Sequence, residues 1–85
     1  MDDAEYEQRV NELYQWGTRL FQGKTIDSEI LEAAREYYSR GEAEGFSIPE
    51  LLDYLAISSP SVLEQAGFTD DRSIEIMQFL GQHLA

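Results

Sequence analysis

Residues 47 to 68 of the chain read Ser-Ile-Pro-Glu-Leu-Leu-Asp-Tyr-Leu-Ala-Ile-Ser-Ser-Pro-Ser-Val-Leu-Glu-Gln-Ala-Gly-Phe. Ser47, Ile48, Pro49 and Glu50 form a capping box. The serine hydroxyl accepts from the amide three residues on, the glutamate reaches back, and Pro49 sits in the first turn, where its missing N–H has no helical partner to lose. Leu51, Leu52, Tyr54 and Leu55 then make the apolar side of a helix that breaks near Ile57 and Ser58. Ser59-Pro60 signals a restart carrying Val62, Leu63 and Ala66, which Gly67 ends with Phe68 placed for the C-cap contact. Two short helices this close together, with no alternating run long enough for a strand, decide for an all-α fold.

The rest of the chain agrees. From Asp3 to Gln22 the apolar positions Tyr6, Val10, Leu13, Tyr14, Leu20 and Phe21 recur with three-and-four spacing, and Gly17 falls near the middle of the stripe. A glycine there gives up about 1 kcal/mol of helix propensity and points to a close helix crossing. Gly23-Lys24 ends this segment. A second helix is expected from about Asp27 to Arg40, with Thr25 or Asp27 as N-cap and Gly41 as a left-handed C-cap. Its inward stripe is Ile30, Ala33, Ala34, Tyr37 and Tyr38. Glu42 to Gly45 reads as a short, weak connection.

Thr69 or Asp70 caps a last helix from about Asp71 to His83. Ile74, Met77, Leu80, Gly81 and Leu84 make one stripe, while Ile76 and Phe79 point away from it, so the apolar arc exceeds half the circumference. Such a helix either lies between others or offers Ile76 and Phe79 to a partner or a second copy. Trp16 borders the stripe of the first helix among Glu12, Gln15 and Arg19, a pattern shared by half-buried structural tryptophans and interface anchors. Together these readings predict a compact bundle of four to five helices in one acidic helical domain spanning 1–85, with a tri-helical second half beginning at Ser47.

Ser47 to Ala66 resembles the helix-turn-helix of bacterial transcription regulators. Leu51, Leu55, Ile57 and Val62 stand where that family packs its two helices together, and Ser58 stands at the opening of its recognition helix. The resemblance implies DNA contacts from Ser59, Ser61, Glu64 and Gln65. Leu52 departs from the family's alanine and Ala56 from its glycine.

Charge argues the other way. Seventeen acidic residues against six basic ones leave a formal net charge of -11, which repels phosphate backbones and anionic lipid surfaces. The helix-turn-helix-like segment contains no Lys or Arg, carrying Glu50, Asp53 and Glu64 instead. Arg9, Arg19, Lys24, Arg35, Arg40 and Arg72 are scattered along the chain. Direct nucleic-acid binding is therefore disfavoured, and the expected function is a non-catalytic protein-interaction or regulatory module. Its expected partner is a basic protein, including one that itself binds DNA or RNA, with a homodimer as the other possibility. Trp16, Ile76, Phe79, Glu50, Asp53 and Glu64 are the candidate interface residues.

Other chemistry finds little support. There is no cysteine, so no disulfide framework and no thiolate nucleophile. The single histidine, His83, lies two residues from the chain end, a poor place for an ordered catalytic triad. No metal site, calcium-loop spacing or glycine-rich phosphate loop is present in the sequence, so no cofactor is expected. Asp27-Ser28 resembles the attachment site of acyl carrier proteins, which would make Ser28 the carrier of a phosphopantetheine; the family's following leucine is Glu29 here. The amino terminus lacks a basic and apolar leader and no apolar run reaches membrane-spanning length, so a cytoplasmic, non-membrane protein is expected.

Overall fold

The computed structural model describes residues 2–84, which form five α-helices and no strand. Asp2 accepts a hydrogen bond from the Glu5 amide (2.8 Å) and so starts α1 (Asp3–Phe21). Leu13, Gly17 and Phe21 make its buried edge. A Cβ added to Gly17 would stand 2.8 Å from Tyr37 Cε2 and 3.0 Å from Val62 Cγ1. The glycine therefore admits two neighbours at once, as its place on the stripe predicts.

After a turn at Gly23 (φ 79°) the chain enters α2 (Asp27–Ala43). Arg9 donates to the Glu44 carbonyl, Trp16 lies beside Arg40, and Phe21 meets Tyr37 edge-on, so α2 runs back along α1 in antiparallel sense. Two expectations are corrected here. The N-cap is Ile26, with no side-chain hydrogen bond, rather than Thr25 or Asp27. Gly41 is also not the C-cap: the helix continues through it to Ala43 because Leu51 packs directly on its bare Cα. Gly45 takes the left-handed conformation (φ 96°), with its amide donating to the Glu42 carbonyl and the Phe46 amide to that of Gly41. This is the Schellman arrangement, and buried Phe46 supplies its apolar contact.

The capping box forms as read. Ser47 N–H and Oγ–H donate to Glu50 Oε1 (3.2 and 2.9 Å), and the Glu50 amide donates to Ser47 Oγ (3.3 Å), opening α3 (Ile48–Leu52). A π-helical turn comes next, over Asp53–Ile57, closed by the Ser58 amide on the Asp53 carbonyl. The restart is set by Ser61 rather than Ser59: its hydroxyl accepts from the Glu64 amide and caps the single turn α4 (Val62–Gln65). Gly67 (φ 103°) and the Phe68 amide, which donates to the Leu63 carbonyl, close a second Schellman motif. Thr69 Oγ1 accepts from the Arg72 amide and caps α5 (Asp70–Leu84).

The core lies where α2 meets α1, α3 and α5, with α4 packed against α1. Phe21, Ile30, Tyr37, Leu51, Leu55, Val62, Leu63, Ile76 and Leu80 are fully enclosed, each contributing about 1.5 to 3 kcal/mol by burial. The last helix is flanked by α2, by α4 and by the π-helical turn. Its inward edge is Ile76 and Leu80; Leu80 is buried as its stripe predicts, whereas Ile74 of the same stripe stands 57 % exposed. Among the described residues no helix is long and apolar enough to cross a membrane.

Candidate partner-binding groove

The π-helical turn decides what the surface offers. Adding one residue to a helical turn rotates the downstream side chains away from the 3.6-residue register. Leu51, Leu55 and Val62 fill the core as the two-helix reading expects, but Ile57 is carried outward to 71 % exposure. This corrects its assignment to the helix-packing set. Asp53 holds the exit from the turn, its Oδ2 accepting from Ser58 Oγ at 2.9 Å.

Across from Ile57 lies one face of α5. Ile57, Ser59 and Glu64 form one wall of a groove of about 500 Å³, and Asp70, Ile74 and Met77 form the other. Its lining is mostly apolar, and the charged side chains on it are the carboxylates of Glu64 and Asp70. Among the described residues the ion pairs are those of Arg72 with Asp27 (3.3 Å) and with Glu75 (3.2 Å), so Glu64 and Asp70 have no cationic partner. None of the described basic residues lines the groove.

Besides Arg72, two more cations are engaged away from the groove. Arg40 lies over the Trp16 ring at 4.8 Å from its centroid, and that ring system also stacks near-parallel with Tyr37 (6.2 Å, 11°). Trp16 is thus partly buried and structurally occupied. Arg9 is tied to the Glu44 carbonyl at 3.1 Å.

The expected interface residues do not form one site. Ile76 is 1 % exposed and belongs to the core, because i, i+4 spacing puts it on the same buried edge as Leu80. Phe79 is half-buried against the His83 ring, 4.5 Å between centroids. Glu50 is consumed by the capping box and by Tyr6, whose hydroxyl donates to Oε2 at 3.2 Å. Tyr6 and Tyr54 hydroxyls lie 2.7 Å apart, and since Tyr6 gives its proton to Glu50, Tyr54 is the donor in that contact. The backbone and side-chain hydrogen bonds from Ser47 hold the Glu50 carboxyl below its ordinary pKa, aided by Tyr6. Burial, reinforced by the bond to Tyr6, drives the Tyr54 hydroxyl well above the usual tyrosine range. Of the six residues, Glu64 alone lines the groove.

Among the residues proposed for DNA contact, Ser61 is only 5 % exposed, since its hydroxyl is turned onto the first turn of α4. Gln65 Nε2 donates to the Pro60 carbonyl at 3.4 Å. Ser59 and Glu64 remain at the surface on the groove wall. Ser28 is exposed in the first turn of α2. The sequence reading missed Ile57 and Ile74 by placing both inside. The available signal was the width of the apolar arc on the last helix, too wide for all of it to face the core. Comparison with protein-family models, curated proteins and solved structures finds no match to this chain.

Proposed function

We propose that the chain is a non-catalytic protein-interaction module that receives a basic partner in the groove between the π-helical turn and α5. One observation carries this reading: two large aliphatic side chains, Ile57 and Ile74, are mostly exposed on the walls of one concavity whose charged groups are all carboxylates. Exposed apolar surface gathered in a groove with a polar rim suits an interface, whereas isolated exposed residues need no explanation. The overall charge of -11 adds long-range attraction for a cationic protein, including one that binds DNA or RNA, and speeds its encounter with the groove.

The test is affinity capture on the immobilised full chain, followed by a salt gradient. Basic proteins should be retained at about 50 mM salt and released by about 300 mM, where screening has shortened the Debye length. The double variant Ile57→Asp, Ile74→Asp should lose them. Retention that ignores both salt and the double substitution would place the interface elsewhere and remove this reading.

A further inference from the structure

Resting on that reading, we propose that the occupant of the groove is an amphipathic helix of the partner, inserting two aliphatic side chains about one turn apart between Ile57 and Ile74, with Lys or Arg on its flanks meeting Glu64 and Asp70. The shape comes first. Asp70, Ser73, Ile74, Met77 and Gln78 line the groove with spacing i, i+3, i+4, i+7 and i+8 along α5, so this wall is a straight stripe about 12 Å long. That length accommodates about two turns of a helix laid beside it.

The backbone chemistry selects a helix over an extended segment. A buried extended peptide needs donors and acceptors for its own N–H and C=O groups, and sheet edges normally supply them. Among the described residues there is no strand. Ser58 Oγ, one of the nearby hydroxyls, is already committed to Asp53. A helix satisfies its own backbone and brings only side chains to the walls, which here carry the aliphatic Ile57 and Ile74 and the carboxylates of Glu64 and Asp70. A second copy of this chain is a poor match, because two molecules of charge -11 would bring carboxylates against the unpaired carboxylates of Glu64 and Asp70.

The experiment is chemical-shift mapping on the isotopically labelled full chain with synthetic peptides of about three turns. The first peptide carries leucines one turn apart and lysines or arginines on the same flank. The second has the same composition with a central proline, and the third has glutamates in place of the cations. The first should shift the amides of Ile57, Ser59, Ile74 and Met77, and its affinity should fall about tenfold or more in Ile74→Asp. Because Ile57 and Ile74 are surface residues, circular dichroism of their variants should match the parent and separate lost binding from lost fold. The proline peptide should bind at least about threefold more weakly, since it cannot hold the helix.

Equal binding by the proline or glutamate peptide would overturn the helical, cationic occupant. So would dimerisation through the groove in sedimentation, or the same shift map produced by a short DNA duplex. If captured partners still require Ile57 and Ile74 while no helical peptide shifts the groove, only this inference falls. If captured partners ignore those residues as well, the module reading falls with it.

Discussion

Leu51 seats its side chain directly on the Cα of Gly41, in the space a Cβ would occupy, and this contact locks α3 against α2. Gly41→Ala gains helix propensity of about 1 kcal/mol but forces an enclosed leucine out of place. Overpacking of this kind costs about 1 to 3 kcal/mol, so a net loss of stability is expected. Urea denaturation should show a lower midpoint with an unchanged slope; a stabilised variant would mean that Leu51 has room to retreat.

Ser61 covers an orphan amide of α4 while buried at 5 % exposure. Ser61→Ala should destabilise the protein by about 1 to 2 kcal/mol, whereas Ser59→Ala, at an exposed position that caps no helix, should change it by less than about 0.5 kcal/mol. Thermal melts of the two variants side by side check this, and equal losses would contradict the assignment of the cap to Ser61.

Glu50 gives a pH signature. Its native pKa lies below the ordinary value of 4.5 because Ser47 and Tyr6 hydrogen-bond the carboxylate. The stabilisation is therefore complete above pH 4.5 and is lost as pH falls through the depressed native value. The stability difference between the parent and Glu50→Gln should favour the parent at neutral pH and shrink in acid. A difference that stays constant down the acid limb would show that the charge of Glu50 is not what the network stabilises.

Alkali should act in the opposite sense. Burial pushes the Tyr38 hydroxyl from 10.0 up to about 12, and raises those of Tyr37 and Tyr54 as well. The folded state thus prefers the neutral phenols, and stability falls as pH rises from about 10, where the unfolded chain begins to ionise. Tyrosinate absorbance should show these three phenols ionising late, together with the loss of helical circular dichroism. Tyr38→Phe, which removes a buried hydroxyl without a hydrogen-bond partner, should leave stability equal or higher at neutral pH.

The helices were legible wherever a local signal named its own partner. Ser47 with Glu50 predicted a cap that forms atom for atom, and Gly67 with Phe68 predicted a helix end that depends only on neighbouring residues. Gly41 misled because a glycine that ends a helix and a glycine that admits Leu51 look alike until the third dimension is known. Ile57 and Ile74 are misplaced for a similar reason, while for Ile76 the enclosed alternative is the one that holds. The helix-turn-helix resemblance puts Ile57 in the packing set, which a turn taking an extra residue undoes, and on α5 the wide apolar arc offers nothing local to choose its inward edge. The groove was consequently hidden in the sequence, although Glu64 on its wall was named.

The wide turn from Asp53 to Ile57 has a consequence for how this surface can vary. Deleting one residue there would let the chain rewind to ordinary pitch and swing its end by about 100°. Ile57 would leave the surface without any change of side-chain chemistry. Insertions and deletions, rather than substitutions alone, are thus a route by which relatives of such a chain could gain or lose this recognition face while keeping the same hydrophobic interior.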